Sequence, residues 1–263
     1  MTPEGGRWGD LTARLASGGI VAAVGLGLVW IGGFTFHLLV CAVAAIMLWE
    51  LARMLGAGPE ANWLASGAGV ALLVAGELPP GLALPLMFLP ALFAAGQIEK
   101  NRTIFAVYSV MIMLAGYGLM GLRDDFGFIW MLWLALIVIG SDIAGYFAGR
   151  LIGGPKFWPR ISPKKTWAGT VAGWIAAAAI ALVFMRLTGA GVELVGLSIA
   201  IAMAGQFGDI AESAVKRKCA VKDSSSLIPG HGGLFDRFDA MLGASVFLLL
   251  VERLVDFPPQ PLL

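Results

Sequence analysis

Charged residues are scarce in this sequence. Only 13% of its 263 residues are Asp, Glu, Lys or Arg, whereas 59% are hydrophobic. A soluble domain carries about 25% charged residues, so this chain lacks the polar surface that it would need to cover itself in water. A disordered chain would be polar and poor in aromatic side chains, and that class is excluded as well. The composition therefore indicates an integral membrane protein.

Cysteine is equally scarce, and a processing signal is missing. The only two cysteines are Cys41, in an apolar run, and Cys219, in a basic segment. Two such residues make neither a disulfide framework nor a zinc-binding cysteine pair. No short apolar core with a small-residue cleavage site follows the polar N-terminus, so we do not expect a cleaved signal peptide.

Long apolar stretches dominate the rest of the chain, and nine of them suit membrane helices. They lie near residues 15–31, 34–54, 62–77, 81–98, 103–122, 126–148, 167–187, 191–211 and 240–256. We therefore predict an all-α, polytopic membrane protein with about nine transmembrane helices. We divide it into N-terminal transmembrane helices, residues 1–130, and a C-terminal region, residues 131–263, with long loops at 149–166 and 212–239.

The basic residues test this number of spans, because Lys and Arg in short loops mark the cytoplasmic side. With nine spans, all but three of the 18 basic residues fall on one side of the membrane. The three exceptions are Arg123, Arg186 and Arg253. We therefore expect a cytoplasmic N-terminus, an external C-terminus and cytoplasmic long loops.

Several glycine patterns and one histidine predict helix packing. Residues 116–121 fit the dinucleotide-binding spacing G-x-G-x-x-G, but they lie inside an apolar span with no strand before them. The spacings at 145–149 and 169–173 are the small-residue pattern of closely packed membrane helices. His37 stands alone in an apolar stretch and is predicted to be a packed residue.

The first polar segment begins at Asp142, toward the cytoplasmic end of a hydrophobic helix. An acid at the interface can simply be paired or hydrated, but ionisable residues at membrane depth are costly and usually functional. Farther on, Ser162, Lys164, Lys165 and Thr166 precede the next helix. They suit a phosphate cradle at a helix N-terminus, or they merely mark the cytoplasmic side. The residues by themselves leave these two interpretations open.

The second polar segment is denser. If the preceding helix continues beyond the membrane, Asp209, Ser213 and Lys216 lie on one helix face. Asp236 and Asp239 are three residues apart and share a face where the last span begins. Carboxylates gathered with basic groups suit magnesium-assisted phosphoryl transfer, since oxygen ligands hold the metal and cations neutralise phosphate.

A simpler interpretation of this segment is a solvated, charged loop. That interpretation accounts for Lys218 and can account for Glu212. It does not account for acids that gather at helix ends beside pairs of glycines. We therefore favour a functional site.

The run from Ser213 to Asp239 resembles the hallmark of CDP-diacylglycerol synthases, also called phosphatidate cytidylyltransferases. The matching positions are Ser213, Lys216, Arg217, Lys222, Asp223, Pro229, His231, Gly232, Gly233, Asp236, Arg237 and Asp239. The segment Ser162–Thr166 and the helix that contains Asp142 resemble the same family, in the same order. The resemblance covers about residues 140–240, and the N-terminal half matches only in general character.

This resemblance implies an enzyme that transfers the cytidylyl group of CTP to phosphatidate and yields CDP-diacylglycerol and pyrophosphate for phospholipid synthesis. We expect an integral protein of a bacterial inner membrane, with the active site facing the cytoplasm and in contact with membrane lipid. Mg²⁺ is the implied cofactor, and the family allows a second cation nearby. We expect no nucleic-acid partner, and the sequence leaves the oligomeric state open, a homodimer included.

The resemblance also implies roles for individual residues. The expected catalytic residues are Asp209, Asp236, Lys216 and Asp142. The expected metal ligands are Asp209, Asp236 and Asp239. The residues expected to bind the phosphates of CTP or phosphatidate are Ser162, Lys164, Lys165, Thr166, Ser213, Arg217, Lys222, Asp223, His231, Gly232, Gly233 and Arg237.

Two positions depart from the family pattern. Ala168 stands where the family usually has Glu, and Ala240 stands where Ser is common. We assign no role to Ala168. A related CTP-dependent lipid nucleotidyl- or phosphotransferase is a close alternative. A secondary transporter is a distant one, because it should show two repeated halves with broken helices, and the sequence has no such internal symmetry.

Overall fold

The protein is described by a computed structural model that covers residues 19, 23–94, 98, 101–228, 232–252, 254–255 and 257–258. The described residues form two compact units. The first unit contains the described residues up to Asp124 together with Cys219–Arg237, and the second contains Asp125–Lys218 and the described residues from Phe238 onward. The segment that carries most of the hallmark residues therefore belongs to the same unit as the N-terminal helices.

The first unit consists of apolar helices joined by short turns. Residues 23–31 are helical. The following helices are α1 (Gly33–Met54), α2 (Glu60–Gly76), α3 (Pro80–Met87), α4 (Leu89–Ala94) and α5 (Arg102–Phe126). The break before α1 occurs at Gly32, whose φ of 71° lies in the left-handed region that glycine tolerates best. This break agrees with the predicted division of the first long apolar stretch into two helices.

The predicted fourth span, 81–98, is not one continuous helix among the residues that the structure describes. It divides at Phe88 into α3 and α4. Pro90 has no amide hydrogen, and its ring clashes with the carbonyl group four residues earlier, so a single helix is disfavoured here. Pro85 lies inside α3 and weakens that helix in the same way.

The second unit combines long helices with a small sheet. Its elements are α6 (Phe128–Leu151), β1 (Lys156–Trp158), β2 (Ser162–Thr166), α7 (Trp167–Thr188), α8 (Glu193–Lys218) and α9 (Phe235–Val251), of which α9 starts in the first unit. The two strands pair antiparallel, with Lys156 opposite Thr166 and Trp158 opposite Ser162. The predicted loop 149–166 thus contains a hairpin that the sequence analysis did not anticipate. The predicted loop 212–239 is shortened to residues 219–234, because the helices on both sides extend into it.

The regular secondary structure of the described residues is helical, as predicted, apart from this hairpin and one isolated bridge between Ile228 and Gly232. Among these residues, five helices are long and apolar enough to cross a membrane: α1, α5, α6, α7 and α8. The helices α2 and α9 have 17 residues each, at the lower limit of about 17–25 residues for a span. The number of nine spans and the orientation of the termini stay predictions.

Glycines make close helix contacts, as their spacing predicted. In the first unit, a Cβ atom at Gly116 would lie 2.7 Å from a methyl carbon of Leu72. In the second unit, a Cβ at Gly169 would lie 2.5 Å from the carbonyl oxygen of Gly145. Small residues let two helix backbones approach closely. In a membrane, this close packing drives helices to associate, because lipid supplies no hydrophobic driving force between them.

His37 is buried in the first unit, and only 5% of it is exposed. Its Nε2 atom lies 2.7 Å from Oδ2 of Asp124, and its Nδ1 atom lies 3.5 Å from Oε1 of Glu77. The predicted packed histidine is therefore also hydrogen-bonded to the carboxylate of Asp124, which joins the start of α1 to the end of α5.

Candidate active site

Three carboxylates come together in the second unit. Asp209 and Glu212 lie one turn apart on α8, and Asp239 lies on α9. One oxygen from each residue falls within 4.8 Å of the others. Two of these residues were predicted as site residues, whereas Glu212 was not.

A glycine contact between α8 and α9 brings the three carboxylates together. A Cβ at Gly208 would lie 2.5 Å from the carbonyl oxygen of Asp239 and 3.1 Å from the backbone nitrogen of Gly243. No side chain fits between the two backbones at this point. Because Asp209 follows Gly208 directly, the contact places the Asp239 carboxylate beside it.

Both oxygens of Asp209 are engaged. The ammonium group of Lys165 lies 2.6 Å from Oδ2 and also donates to the carbonyl oxygen of Gln206 at 3.3 Å. The hydroxyl of Ser213 donates to Oδ1 at 3.3 Å. This bond confirms that α8 continues far enough to place Asp209 and Ser213 on one face.

Glu212 is fully buried, so it is not one of the charges of a solvated loop. Its Oε2 atom lies 2.6 Å from Nζ of Lys216, one turn farther along α8. The spacing of four residues between an acid and a lysine was the signal for this pair. The predicted catalytic residue Lys216 thus lies against a carboxylate of the cluster.

Asp142 completes the group of acids in the second unit. It lies on α6, where its carboxylate interacts electrostatically with Asp209, which repels it, and with Lys165, which attracts it. The carboxylates of Asp142 and Asp239 also repel each other. The structure therefore groups the predicted residues Asp142, Asp209 and Asp239, and it adds Glu212 to them.

The predicted phosphate cradle at the start of α7 has a different geometry from the one expected. Successive side chains of a strand point to opposite faces, so Lys164 and Lys165 on β2 diverge. Lys164 is exposed, whereas Lys165 contacts Asp209. Thr166 caps the helix, because its hydroxyl oxygen accepts the N–H of Gly169 at 3.1 Å. Ser162 begins β2 and is partly exposed.

The hallmark loop, residues 219–234, belongs to the first unit and is closed by Asp236. One oxygen of Asp236, Oδ2, accepts the N–H groups of Ser224 and Gly233, each at 2.8 Å. The Ser224 hydroxyl lies 2.9 Å from the same oxygen. Gly232 has a φ of 82°, a backbone conformation that residues other than glycine rarely adopt. The predicted site residue His231, with Pro229 and Gly230, lies outside the described residues.

The remaining predicted phosphate-binding residues are exposed. Lys222 and Asp223 lie in the hallmark loop, and Arg237 lies in the first turn of α9, all in the first unit. Arg217 lies near the end of α8 in the second unit. Exposed side chains of this kind are accessible to a charged substrate from water.

Glu50 is a residue that the sequence analysis did not consider. It is fully buried on α1 in the first unit. Its carboxylate accepts hydrogen bonds from Ser225, Leu234 and Phe235, and the Ser224 hydroxyl is also within reach. The sequence feature that could have indicated Glu50 is an acid inside an otherwise apolar helix. Such an acid is energetically costly and usually has a function.

The carboxylate cluster of the second unit has the chemistry that Mg²⁺ prefers. This ion takes hard oxygen ligands and is commonly held through one or two carboxylates together with substrate phosphates. Asp209, Glu212 and Asp239 supply such oxygens within 4.8 Å of one another. The donor set therefore fits the metal that the sequence analysis expected.

Comparison with known proteins covers nearly the whole chain. Residues 12–255 match the model of the cytidylyltransferase family. A phosphatidate cytidylyltransferase of Brucella suis is 33% identical over 266 residues, which cover 96% of this chain and 97% of that protein. The phosphatidate cytidylyltransferase of Bacillus subtilis is 30% identical over 279 residues, or 93% of this chain and 98% of that protein. That of Helicobacter pylori is 40% identical over 128 residues, or 48% of each chain. With its acid cluster, its hallmark loop and this similarity along its length, the chain belongs to the cytidylyltransferase family.

Proposed function

We propose that this protein transfers the cytidylyl group of CTP to phosphatidate and releases pyrophosphate and CDP-diacylglycerol. The observation that carries the proposal is the similarity to phosphatidate cytidylyltransferases, which extends over more than nine-tenths of the chain. The cluster of carboxylates and lysines supports it, because nucleotidyl transfer needs oxygen ligands for a metal and cations for phosphate.

The reaction needs no strong general base. The phosphate monoester of phosphatidate has a second pKa of about 6 and is already largely an anion at neutral pH. One of its oxygens forms a bond to the α-phosphorus of CTP. The bond from that phosphorus to the bridging oxygen of the β-phosphate breaks, and pyrophosphate leaves with the electron pair. The protein contributes orientation and neutralisation of charge.

Asp209, Glu212 and Asp239 are the residues that would hold Mg²⁺, which supplies charge neutralisation on the triphosphate when bound. Lys165 and Lys216 already contact two of these carboxylates and are positioned to balance negative charge in the same place. The assignment of Asp236 as a further ligand rests on the family resemblance alone.

The location of the site suits a reaction between a membrane lipid and a water-soluble nucleotide. The acids lie near the C-terminal end of α8 and the N-terminal end of α9, which the basic-residue pattern assigns to the cytoplasm. In a bacterial inner membrane, the acyl chains of phosphatidate would remain in lipid there while CTP arrives from water. A secondary transporter is not favoured by the family or by any contact in the described residues.

A product assay on detergent-solubilised protein tests the proposal. With Mg²⁺ present, labelled CTP and phosphatidate should yield CDP-diacylglycerol and pyrophosphate, and chelation of the metal should stop the reaction. Turnover in detergent also separates this activity from transport, which requires a sealed membrane. Other nucleoside triphosphates and other lipid acceptors should give less product, since a better acceptor would identify a related CTP-dependent transferase instead.

The variant Asp209→Asn tests the site. We expect it to lower product formation on the order of 10²-fold or more, the usual effect of removing one essential electrostatic group. Asp125→Asn is a matched control, because Asp125 is an exposed aspartate of the same unit. A folded wild-type protein without activity would overturn the function, whereas full activity in Asp209→Asn would overturn only the site.

A further inference from the structure

Glu50 occupies a fully buried position at which both carboxylate oxygens face hydrogen-bond donors. Oε1 accepts from the hydroxyl of Ser225 at 2.6 Å and from the N–H of Leu234 at 2.9 Å. Oε2 accepts from the N–H of Phe235 at 2.7 Å and lies 3.1 Å from the hydroxyl of Ser224. A buried carboxylate is tolerated only when it is satisfied in this way.

The four donors come from the two ends of one loop. Ser224 and Ser225 lie in its first part, and Leu234 and Phe235 lie where it leads into α9. The carboxylate of Glu50 therefore joins segments that are about ten residues apart along the chain, as the residue numbers show. The Ser224 hydroxyl carries one proton and donates it either to Glu50 or to Asp236. Asp236, in the first turn of α9, joins the same two ends of the loop, because it accepts N–H groups from Ser224 and Gly233.

Close packing around Glu50 explains one glycine of the hallmark. A Cβ atom at Gly233 would lie 2.6 Å from Oε1 of Glu50, so a side chain at this position cannot coexist with the observed carboxylate. The family resemblance implies that this glycine binds phosphate. In the structure, the space beside Gly233 is filled by Glu50 and by the hydroxyl of Ser224.

The start of α9 is anchored at the same place. The N-terminal N–H groups of a helix have no partners within the helix and favour a negative charge. Glu50, a residue of another helix, accepts two such groups, those of Leu234 and Phe235. The ring of Phe235 is fully buried and contacts Tyr108 edge-on, with ring centroids 5.8 Å apart.

We propose that Glu50 is a positioning residue of the cytidylyltransfer reaction. Its carboxylate holds residues 224–225 and 234–235 in the conformation in which the hallmark loop meets the phosphates of the substrate. This inference rests on the proposed function. Glu50 itself touches the loop backbone and two serines, so it acts through the loop rather than on the reacting atoms.

The variant Glu50→Gln isolates this effect. Glutamine has nearly the same shape, but its NH₂ group would face two donors in place of an accepting oxygen. The loop should then leave its binding conformation for part of the time, and the apparent affinity for a ligand falls with the populated fraction of the competent state. We expect the KM for CTP to rise at least fivefold, a larger relative change than the fall in kcat.

Hydrogen exchange supplies a readout that does not depend on activity. In Glu50→Gln, the amides of residues 224–228 and 232–235 should exchange at least tenfold faster, while the thermal unfolding temperature in detergent changes by only a few degrees. Glu60→Gln is the matched control, because Glu60 is a glutamate of the same unit that accepts one backbone N–H, from Gly58, away from the loop. It should leave KM, kcat and exchange in the loop as in the wild type.

Ser225→Ala provides a second variant in case Glu50→Gln does not fold. It deletes one of the four donors and should raise the KM for CTP in the same direction by a smaller factor. Unchanged KM and unchanged exchange in folded Glu50→Gln would overturn the inference, as would a lower unfolding temperature with the KM unaltered. If Glu50→Gln does not fold, an unaltered KM in Ser225→Ala would overturn it. A wild-type protein without cytidylyltransfer would instead overturn the proposed function.

Discussion

Buried acids are the most informative single residues of this protein. Glu50 and Glu212 have no exposed surface, although both belong to helices that are otherwise largely apolar. A carboxylate removed from water without a partner would cost several kcal/mol. Each of these two has a partner for its charge, Glu50 the donors of the hallmark loop and Glu212 the ammonium group of Lys216. A buried acid with such a partner indicates a role in holding charge or backbone in place.

The variant Glu212→Gln should damage both stability and catalysis. It removes the negative charge that faces the ammonium of Lys216, and breaking a buried ion pair from one side typically costs about 3–5 kcal/mol. It also removes one carboxylate of the proposed metal site, so we expect at least a tenfold loss of product formation. Thermal unfolding in detergent and the product assay measure the two effects.

Glu193→Gln is the control for this variant, because Glu193 lies exposed at the first turn of the same helix. It should preserve both the unfolding temperature and the activity. If Glu212→Gln behaved like Glu193→Gln, Glu212 would have no part in the cluster or in the stability of α8.

The residue pattern predicted part of this cluster. The spacing of Asp209 and Ser213 placed them on one helix face, and their hydrogen bond confirms it. The same spacing could not show which acids are buried, because that depends on what packs against each face. Glu212 was therefore not predicted as a site residue, although it is the most deeply buried acid of α8.

At the scale of elements, the glycine contact between α8 and α9 sets the geometry of the site. Gly208 of α8 lies against the backbone of α9 at Asp239 and Gly243. A contact of backbone on backbone fixes the relative position of two helices more tightly than flexible side chains would. The separation of Asp209 and Asp239 is thus set by a residue that carries no functional group.

The variant Gly208→Ala should separate these two carboxylates. Its methyl group would lie 2.5 Å from the carbonyl oxygen of Asp239, so one helix must move. We expect product formation to fall at least tenfold while the protein still inserts and folds. Gly196→Ala on the same helix is the control, since nothing lies within 4 Å of its Cβ position.

Alanine is more favourable than glycine inside a helix by about 1 kcal/mol, so Gly196→Ala should be neutral or stabilising. Equal activities of the two variants, measured by the product assay, would show that the distance between α8 and α9 does not govern catalysis.

The elements also differ in how well the sequence predicted them. The long helices follow the predicted spans closely, because about 20 apolar residues in sequence have few alternatives in a membrane. The hairpin of β1 and β2 was missed, because the four polar residues and one proline of β2 form a strand only where a partner strand lies nearby. The consequence for the site is large, since strand geometry directs Lys165 to Asp209 and leaves Lys164 exposed.

At the scale of the whole molecule, the chain returns to its N-terminal helices after the second unit. The segment Cys219–Arg237 belongs to the first unit, where Glu50 on α1 holds it. The N-terminal half carries none of the hallmark residues, yet it supplies the carboxylate that accepts hydrogen bonds from the hallmark loop. The first unit is therefore more than a membrane anchor.

The predicted topology of nine spans can be tested with single cysteines. Glu193 falls on the predicted external side and Lys156 on the predicted cytoplasmic side, and both are exposed. In a protein lacking Cys41 and Cys219, a membrane-impermeant maleimide should label Glu193→Cys in right-side-out vesicles. It should label Lys156→Cys only after detergent is added, because the reagent cannot reach the cytoplasmic face.

The protein without cysteines is the control and should not be labelled. The reverse pattern would invert the orientation, and labelling of both positions from the outside would contradict the number of spans between them. Either result would also remove the cytoplasmic face as the place where CTP arrives.

The sequence by itself determined that this is a membrane protein, where most of its helices lie along the chain, and which family its hallmark residues resemble. These properties depend on composition and on short spacings, which act locally along the chain. The tertiary structure decided which acids are buried, how Lys164 and Lys165 diverge, and that Glu50 closes a loop far away in sequence. Those properties depend on which backbones approach each other, and a contact such as that of Gly208 with Asp239 exists only once the helices have packed.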